Sequence, residues 1–150
     1  MRSTPAPETG LRRAQYTAIA AFRYELRRFL AFSEAAATAA GLAPQQHQAL
    51  LAIAGHVGAE PPSVGTIAEQ LLIAPNTAAE LVSRMVDAAL ITKSPSHQDR
   101  RRTELTLTEK AVVLLDRLTT VHLEELKTLE PALRHAVTRS RDEDRQPGRR

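Results

Sequence analysis

Between Lys93 and Lys110 the chain reads KSPSHQDRRRTELTLTEK. Its chemistry is cationic: the guanidiniums of Arg100, Arg101 and Arg102 follow the carboxylate of Asp99. A guanidinium is planar, permanently charged and presents five N–H donors in a fixed fork, which suits phosphate and carboxylate oxygens. LITKSPS before the cluster is β-prone and carries a proline, and TELTLT after it alternates strictly, with Leu105 and Leu107 on one face. Two short strands around a charged tip make a hairpin. Such a tip is either a solvated loop or positive charge aimed at an anion, and the elements around it must decide.

Other chemistries find little support. Cys is absent, which removes disulfides, thiol chemistry and Cys-based zinc sites together. There is no Gly-rich phosphate loop and no HExxH metal motif. The five His are scattered, and His47 and His56 lie on roughly opposite faces of one helix. The chain reads as no enzyme, with no catalytic or metal-binding residues and no cofactor. No apolar run reaches the roughly 18 residues of a membrane span, and MRSTPAPETG lacks the apolar core of a signal peptide. A cytoplasmic protein without a membrane partner is the expectation.

The 150 residues are enough for one domain with a buried core. Ala and Leu dominate and aromatics make up only 3%, so most of the chain should be helical. Charge is unevenly placed. Residues 31–83 hold four Glu and no Lys or Arg, whereas residues 84–110 hold six basic and four acidic groups. That balance is compatible with a nucleic-acid partner without requiring one.

The periodicity sets out the elements that would hold the hairpin. A helix is expected over 11–40, with Ile19, Phe22, Leu26, Phe29 and Leu30 as its apolar stripe and Arg12, Arg13, Arg23, Arg27 and Arg28 opposite. At about 1.5 Å per residue such a rod measures some 45 Å and is more easily buried against a second chain. Gly41 stops it, and Pro44 opens a second helix with Leu50, Leu51, Ile53 and Ala54 inward. Ser63 caps VGTIAEQLL, and Pro75 opens PNTAAELVSRMVDAAL after a turn of about three residues, a helix-turn-helix pattern. Thr108 caps a further long helix carrying Leu115, Leu118, His122, Leu126 and Leu129. Pro131 should break that helix and start a short one reaching about Arg139. Residues 1–10 and the charged 139–150 read as disordered tails.

The order of helix, helix, helix-turn-helix, hairpin and long helix resembles the MarR-type (multiple antibiotic resistance regulator) winged helix-turn-helix transcription factors. The resemblance rests on GLAPQQHQALLAI, on SVGTIAEQLLIAPNTAAELVSRMVDAALITKSPS, and above all on DRRRTELTLTEK. It implies a mainly α fold with a small β-hairpin wing, set in a MarR-like domain over 11–138. Residues 44–110 would form the DNA-binding winged helix-turn-helix, and 11–40 with 111–138 the helical dimerisation domain. It further implies a homodimeric, ligand-responsive repressor on a double-stranded DNA operator. Pro75–Arg84 would be the recognition helix in the major groove, presenting Asn76, Thr77, Ala79, Glu80, Ser83 and Arg84, with Ser63 at the start of the preceding helix. Arg100, Arg101 and Arg102 would enter the minor groove, and Asp99 would orient one of them within the chain.

A small aromatic or anionic effector is implied as well, lined by Tyr16, Phe22, Arg23, His47 and His122. Against the family pattern, Glu80 stands where an Arg is frequent, so the recognition helix carries no positive charge before Arg84. The alternative is a winged-helix module that binds protein, which Glu80 and the acidic 31–83 block favour.

Overall fold

The computed structural model describes residues 10–143 and the side chains from Arg12 to Arg139. Of the expected tails 1–10 and 139–150, residues 1–9 and 144–150 lie outside the described residues, whereas Gly10 and residues 139–143 are helical, at the start of the first helix and the end of the last. The element order is α1 (Gly10–Ala39), α2 (Pro44–Ala54), α3 (Val64–Leu71), α4 (Pro75–Asp87), β1 (Ile91–Pro95), β2 (Thr103–Leu107) and α5 (Glu109–Glu143). This is a mainly α protein with a two-stranded wing. Two compact units emerge: Ser33–Thr120 holds the helix-turn-helix and the wing, and the other takes the chain up to Phe32 and from Val121 onward. No helix among the described residues is long and apolar enough to cross a membrane.

In the Ser33–Thr120 unit the turns are built by caps. Gly41 has φ +82°, and the Leu42 N–H reaches back to the Ala37 carbonyl at 2.9 Å, a left-handed stop that closes α1. Pro44 opens α2, whose first turn is held by the Ala43 N–H donating to Gln46 Oε1 at 3.0 Å. The face of α2 that turns inward is His47, Ala49, Leu50 and Ile53; Leu51 and Ala54, expected inside, are exposed. The buried arc is centred between Leu50 and Ile53, which leaves Leu51 about 130° away, beyond its edge.

Helices α3 and α4 end in the same left-handed way without a glycine. Leu72 (φ 54°) closes α3, with the Ile73 N–H on the Ala68 carbonyl at 3.1 Å. Ala89 (φ 57°) closes α4, with the Leu90 N–H on the Met85 carbonyl at 2.9 Å. Left-handed backbone costs a residue with a Cβ about 1–2 kcal/mol, and Leu72 is almost wholly exposed, with no packing to offset it. Leu72→Gly is therefore expected to stabilise the protein by about 0.5–1 kcal/mol, after subtracting the entropy glycine adds to the unfolded chain. A chemical-denaturation midpoint that stays put or falls would contradict this.

The wing pairs β1 with β2 antiparallel, Ile91 opposite Leu107 and Pro95 opposite Thr103. It is not free-standing. The Leu105 N–H donates to the Pro62 carbonyl at 2.9 Å, and Ser63 forms an isolated bridge with Glu104. At its base, Thr108 Oγ1 donates to the Ala89 carbonyl at 2.7 Å and accepts the Ala111 N–H, which caps α5 and ties it to the end of α4. Leu50, Ile67, Val82, Met85, Leu90 and Ile91 are fully buried beneath these elements. Each large apolar side chain so buried contributes about 1.5–3 kcal/mol.

In the other unit, Ala18 and His122 are buried, and the His122 ring meets Phe32 and Phe29 edge-on, with centroids 5.4 and 6.0 Å away. Of the stripe expected on α1, Phe22, Leu26 and Phe29 are half-buried while Ile19 and Leu30 are exposed. The stripe is wider than this one chain covers. The break expected at Pro131 is absent, since α5 continues through it to Glu143. Pro131 removes only the bond its missing N–H would make to the Lys127 carbonyl, and at an exposed position water can reach that oxygen.

Candidate nucleic-acid interface

Helix α4 is anchored on one side and open on the other. Ala78, Leu81, Val82 and Met85 recur at three- and four-residue steps and are buried, which fixes the helix rotation. The complementary side presents Asn76, Thr77, Ala79, Glu80, Ser83 and Arg84, all exposed. Pro75 occupies the first turn and needs no hydrogen-bond partner, so the free N–H groups and the helix dipole at this end favour an anion. Arg84 stands 3.7 Å from Glu80 one turn earlier. With both side chains about 70% exposed, such a pair is worth only about 0.3–0.5 kcal/mol. Its effect on the surface is to answer the one cation of this face within the helix.

The wing tip is a closed turn. The Ser96 N–H donates to the Arg102 carbonyl and the Arg102 N–H to the Asp99 carbonyl, both at 2.9 Å. Ser96 Oγ accepts the N–H groups of Gln98 and Asp99. Asp99 acts on main chain: its Oδ1 accepts the Arg101 N–H at 3.0 Å. Among the described residues Arg100 and Arg101 form no ion pair, and both are exposed. Arg102 differs. Its Nη1 meets the Glu60 carboxylate and its Nη2 donates to Ser63 Oγ at 3.3 Å.

Between wing and α3 lies a hollow of about 630 Å³, bordered by Ser63, Gly65, Thr66, Glu69, Arg101 and Arg102. Ser63 itself is buried, and its N–H donates to Thr66 Oγ1 at 3.0 Å. The unit thus gathers a polar helix edge, two unpaired guanidiniums and the start of α3. Direct base reading and phosphate contact both need such donors.

The residues expected to line an effector site fall in different places. Tyr16, Phe22, Arg23 and His122 belong to the unit that ends at Phe32 and resumes at Val121, and His47 belongs to Ser33–Thr120. Tyr16 and Arg23 are exposed, and His122 is occupied by Phe29 and Phe32. Within Ser33–Thr120 a separate hollow of about 640 Å³ is lined by Leu42, Gln46, Leu90, Lys110, Val113 and Leu114, among others. Sequence reasoning also passed over Glu60. It sits in the loop GAEPPS, 42 residues from Arg102, and nothing local marks it as that residue's partner.

Comparison with known proteins agrees with this geometry. A sequence model of the MarR family matches residues 40–102. No curated protein matches the chain. Among solved structures, MepR of S. aureus in a DNA complex is 21% identical, with a TM-score of 0.63 over 73% of this chain and 80% of that one. ZitR of Lactococcus lactis is 28% identical, with a TM-score of 0.53 over 60% of this chain and 59% of its own. CouR of Rhodococcus jostii, bound to p-coumaroyl-CoA, is 19% identical, with a TM-score of 0.57 over 65% and 67%. The matched residues hold the helix-turn-helix and the first strand of the wing, with β2 just beyond them, and over this stretch the chain is similar to the MarR family.

Proposed function

We propose that the protein is a homodimeric, sequence-specific repressor that binds double-stranded DNA. In this reading α4 lies in the major groove and the wing tip reaches the adjacent minor groove. The observation that carries it is the one-sided α4: its apolar side is buried, and its polar side faces solvent in the same unit as the unpaired Arg100 and Arg101. Asn76 and Thr77 would contact base edges or phosphates, Ser83 and Arg84 the backbone, and Arg100 and Arg101 a narrow, electronegative minor groove. Ser63 would hold the start of α3 near the backbone. The DNA-bound relative supports this reading.

Dimerisation is supported by apolar side chains that one chain leaves exposed, Tyr16, Ile19 and Leu30 on α1 and Leu123, Leu126, Leu133 and Val137 on α5. Two recognition helices would then meet half-sites about one helical turn apart. A small aromatic or anionic effector belongs to the same reading, with the relative bound to p-coumaroyl-CoA in support. Effector binding would shift the spacing of the recognition helices and release the operator.

The test is a fluorescence-anisotropy titration against duplexes selected from a random pool, repeated across a salt series. Affinity should be sequence-dependent, and log K should fall by about 0.9 per phosphate neutralised for each decade of salt. Binding that is absent at low salt, or indifferent to salt, would overturn the reading in favour of a winged-helix module that docks on protein.

A further inference from the structure

The three wing arginines do not share one environment. Arg100 and Arg101 form no ion pair among the described residues, whereas Arg102 is held at both ends. Its main chain closes the tip through Ser96 and Asp99. Its side chain leaves the tip and spans back to the segment that launches α3, meeting the Glu60 carboxylate and Ser63 Oγ. That segment already touches β2 twice, through Pro62 with Leu105 and through Ser63 with Glu104. These stitches lie along β2 itself. Beyond Thr103, among the described hydrogen bonds and ion pairs, Arg102 alone ties the tip back to the segment before α3, and a two-stranded ribbon is marginal unaided.

We infer that Arg102 is a positioning residue of the wing, not a DNA contact, and that Glu60 supports DNA binding through it. The inference rests on the DNA-binding reading above. It runs against simple charge counting: an acid beside a DNA-facing surface repels phosphate, so its removal should tighten binding. Here the acid occupies the guanidinium that aims the tip, and losing it leaves Arg100 and Arg101 poorly placed. Both partners are about half exposed, so the brace is modest, on the order of a few-fold in affinity. Glu69 and His56 border the same hollow, but neither contacts Arg102 among the described hydrogen bonds and ion pairs.

The test uses the full chain with Glu60→Gln, Arg102→Gln and the double variant. Three readouts separate the roles: affinity for a selected duplex, its salt slope, and hydrogen exchange of the wing amides in the free protein. Each single variant is expected to weaken binding about three- to tenfold, and the double variant no further. The salt slope should stay unchanged, whereas Arg101→Ala lowers it by about 0.9. Amides at 96–102 should exchange faster in both single variants, with those of α4 unaffected. Tighter binding by Glu60→Gln, together with a slope loss of about 0.9 in Arg102→Gln, would make Arg102 a phosphate contact and overturn the inference. Unchanged wing exchange would overturn it whatever the DNA result. If the wild-type protein fails to bind DNA while the tip amides still respond, the functional reading falls and the brace stands.

Discussion

Replacing Leu123 and Leu133 together by glutamate is expected to convert a dimer into a monomer and to lower affinity for a two-half-site duplex by roughly 100-fold or more. On α5, Leu123, Leu126, Leu133 and Val137 fall at three-, seven- and four-residue steps, and they are 58, 40, 45 and 40% exposed. The adjoining side of the same stretch, His122, Glu125, Leu129, Ala132 and Ala136, is buried or half-buried. A helix with one covered side and a second, uncovered apolar stripe is shaped for another helix. In a two-fold dimer each residue is buried twice, so the double substitution acts on four side chains worth about 1.5–3 kcal/mol apiece. The second half-site then loses its tethered partner, which is where the affinity goes. Analytical ultracentrifugation reads the mass, and far-ultraviolet circular dichroism checks that the helices persist, as they should, because solvent already reaches these positions. A variant that still sediments as a dimer, or a wild-type protein that is itself monomeric, would sink the assignment.

Much of this architecture could be read from the residues. Pro44 and Pro75 open helices because a proline needs no N–H partner in the first turn, Gly41 closes α1 because it accepts φ +82°, and Thr108 caps α5. The outward set on α4 follows from the 3.6-residue period once Leu81, Val82 and Met85 point inward. What escaped has physical reasons too. Leu72 and Ala89 take left-handed backbone that the sequence marks only when glycine stands there. Ile19, Leu30, Leu51 and Ala54 are apolar and lie near buried stripes, and hydrophobicity alone does not tell a covered edge from an uncovered one. At Pro131 one lost hydrogen bond counts for less than the intact turns on either side. The Glu60–Arg102 contact joins residues 42 apart in sequence. Periodicity carries no information about such a pair, because it depends on how the wing is laid against α3.

Arg101→Ala is expected to weaken binding to a selected duplex by about 1–3 kcal/mol, a factor of roughly 5 to 150, with the fold intact. The size follows from where positive charge is available. Helix α4 offers Arg84 alone, and Glu80 at 3.7 Å already answers it. Residues 31–83, which include α2, α3 and most of α4, contribute four acids and no base. The burden of neutralising phosphate therefore shifts to the wing, where Arg102 is committed to Glu60 and Ser63, leaving Arg100 and Arg101 at the tip and Lys93 on β1. Of the two arginines, Arg101 has its main-chain N–H fixed by Asp99 and borders the hollow beside α3, so its direction is set before DNA arrives. Preorganised donors lose less conformational entropy on binding. Alanine keeps the N–H that Asp99 accepts, so the tip should retain its turn and the melting temperature should not move. Glu80→Gln makes the contrasting control: it removes a phosphate-repelling charge and releases Arg84, and it should tighten binding to unselected DNA. If Arg101→Ala leaves both affinity and salt slope unchanged while Glu80→Gln tightens binding, then α4 carries the affinity and the wing does not.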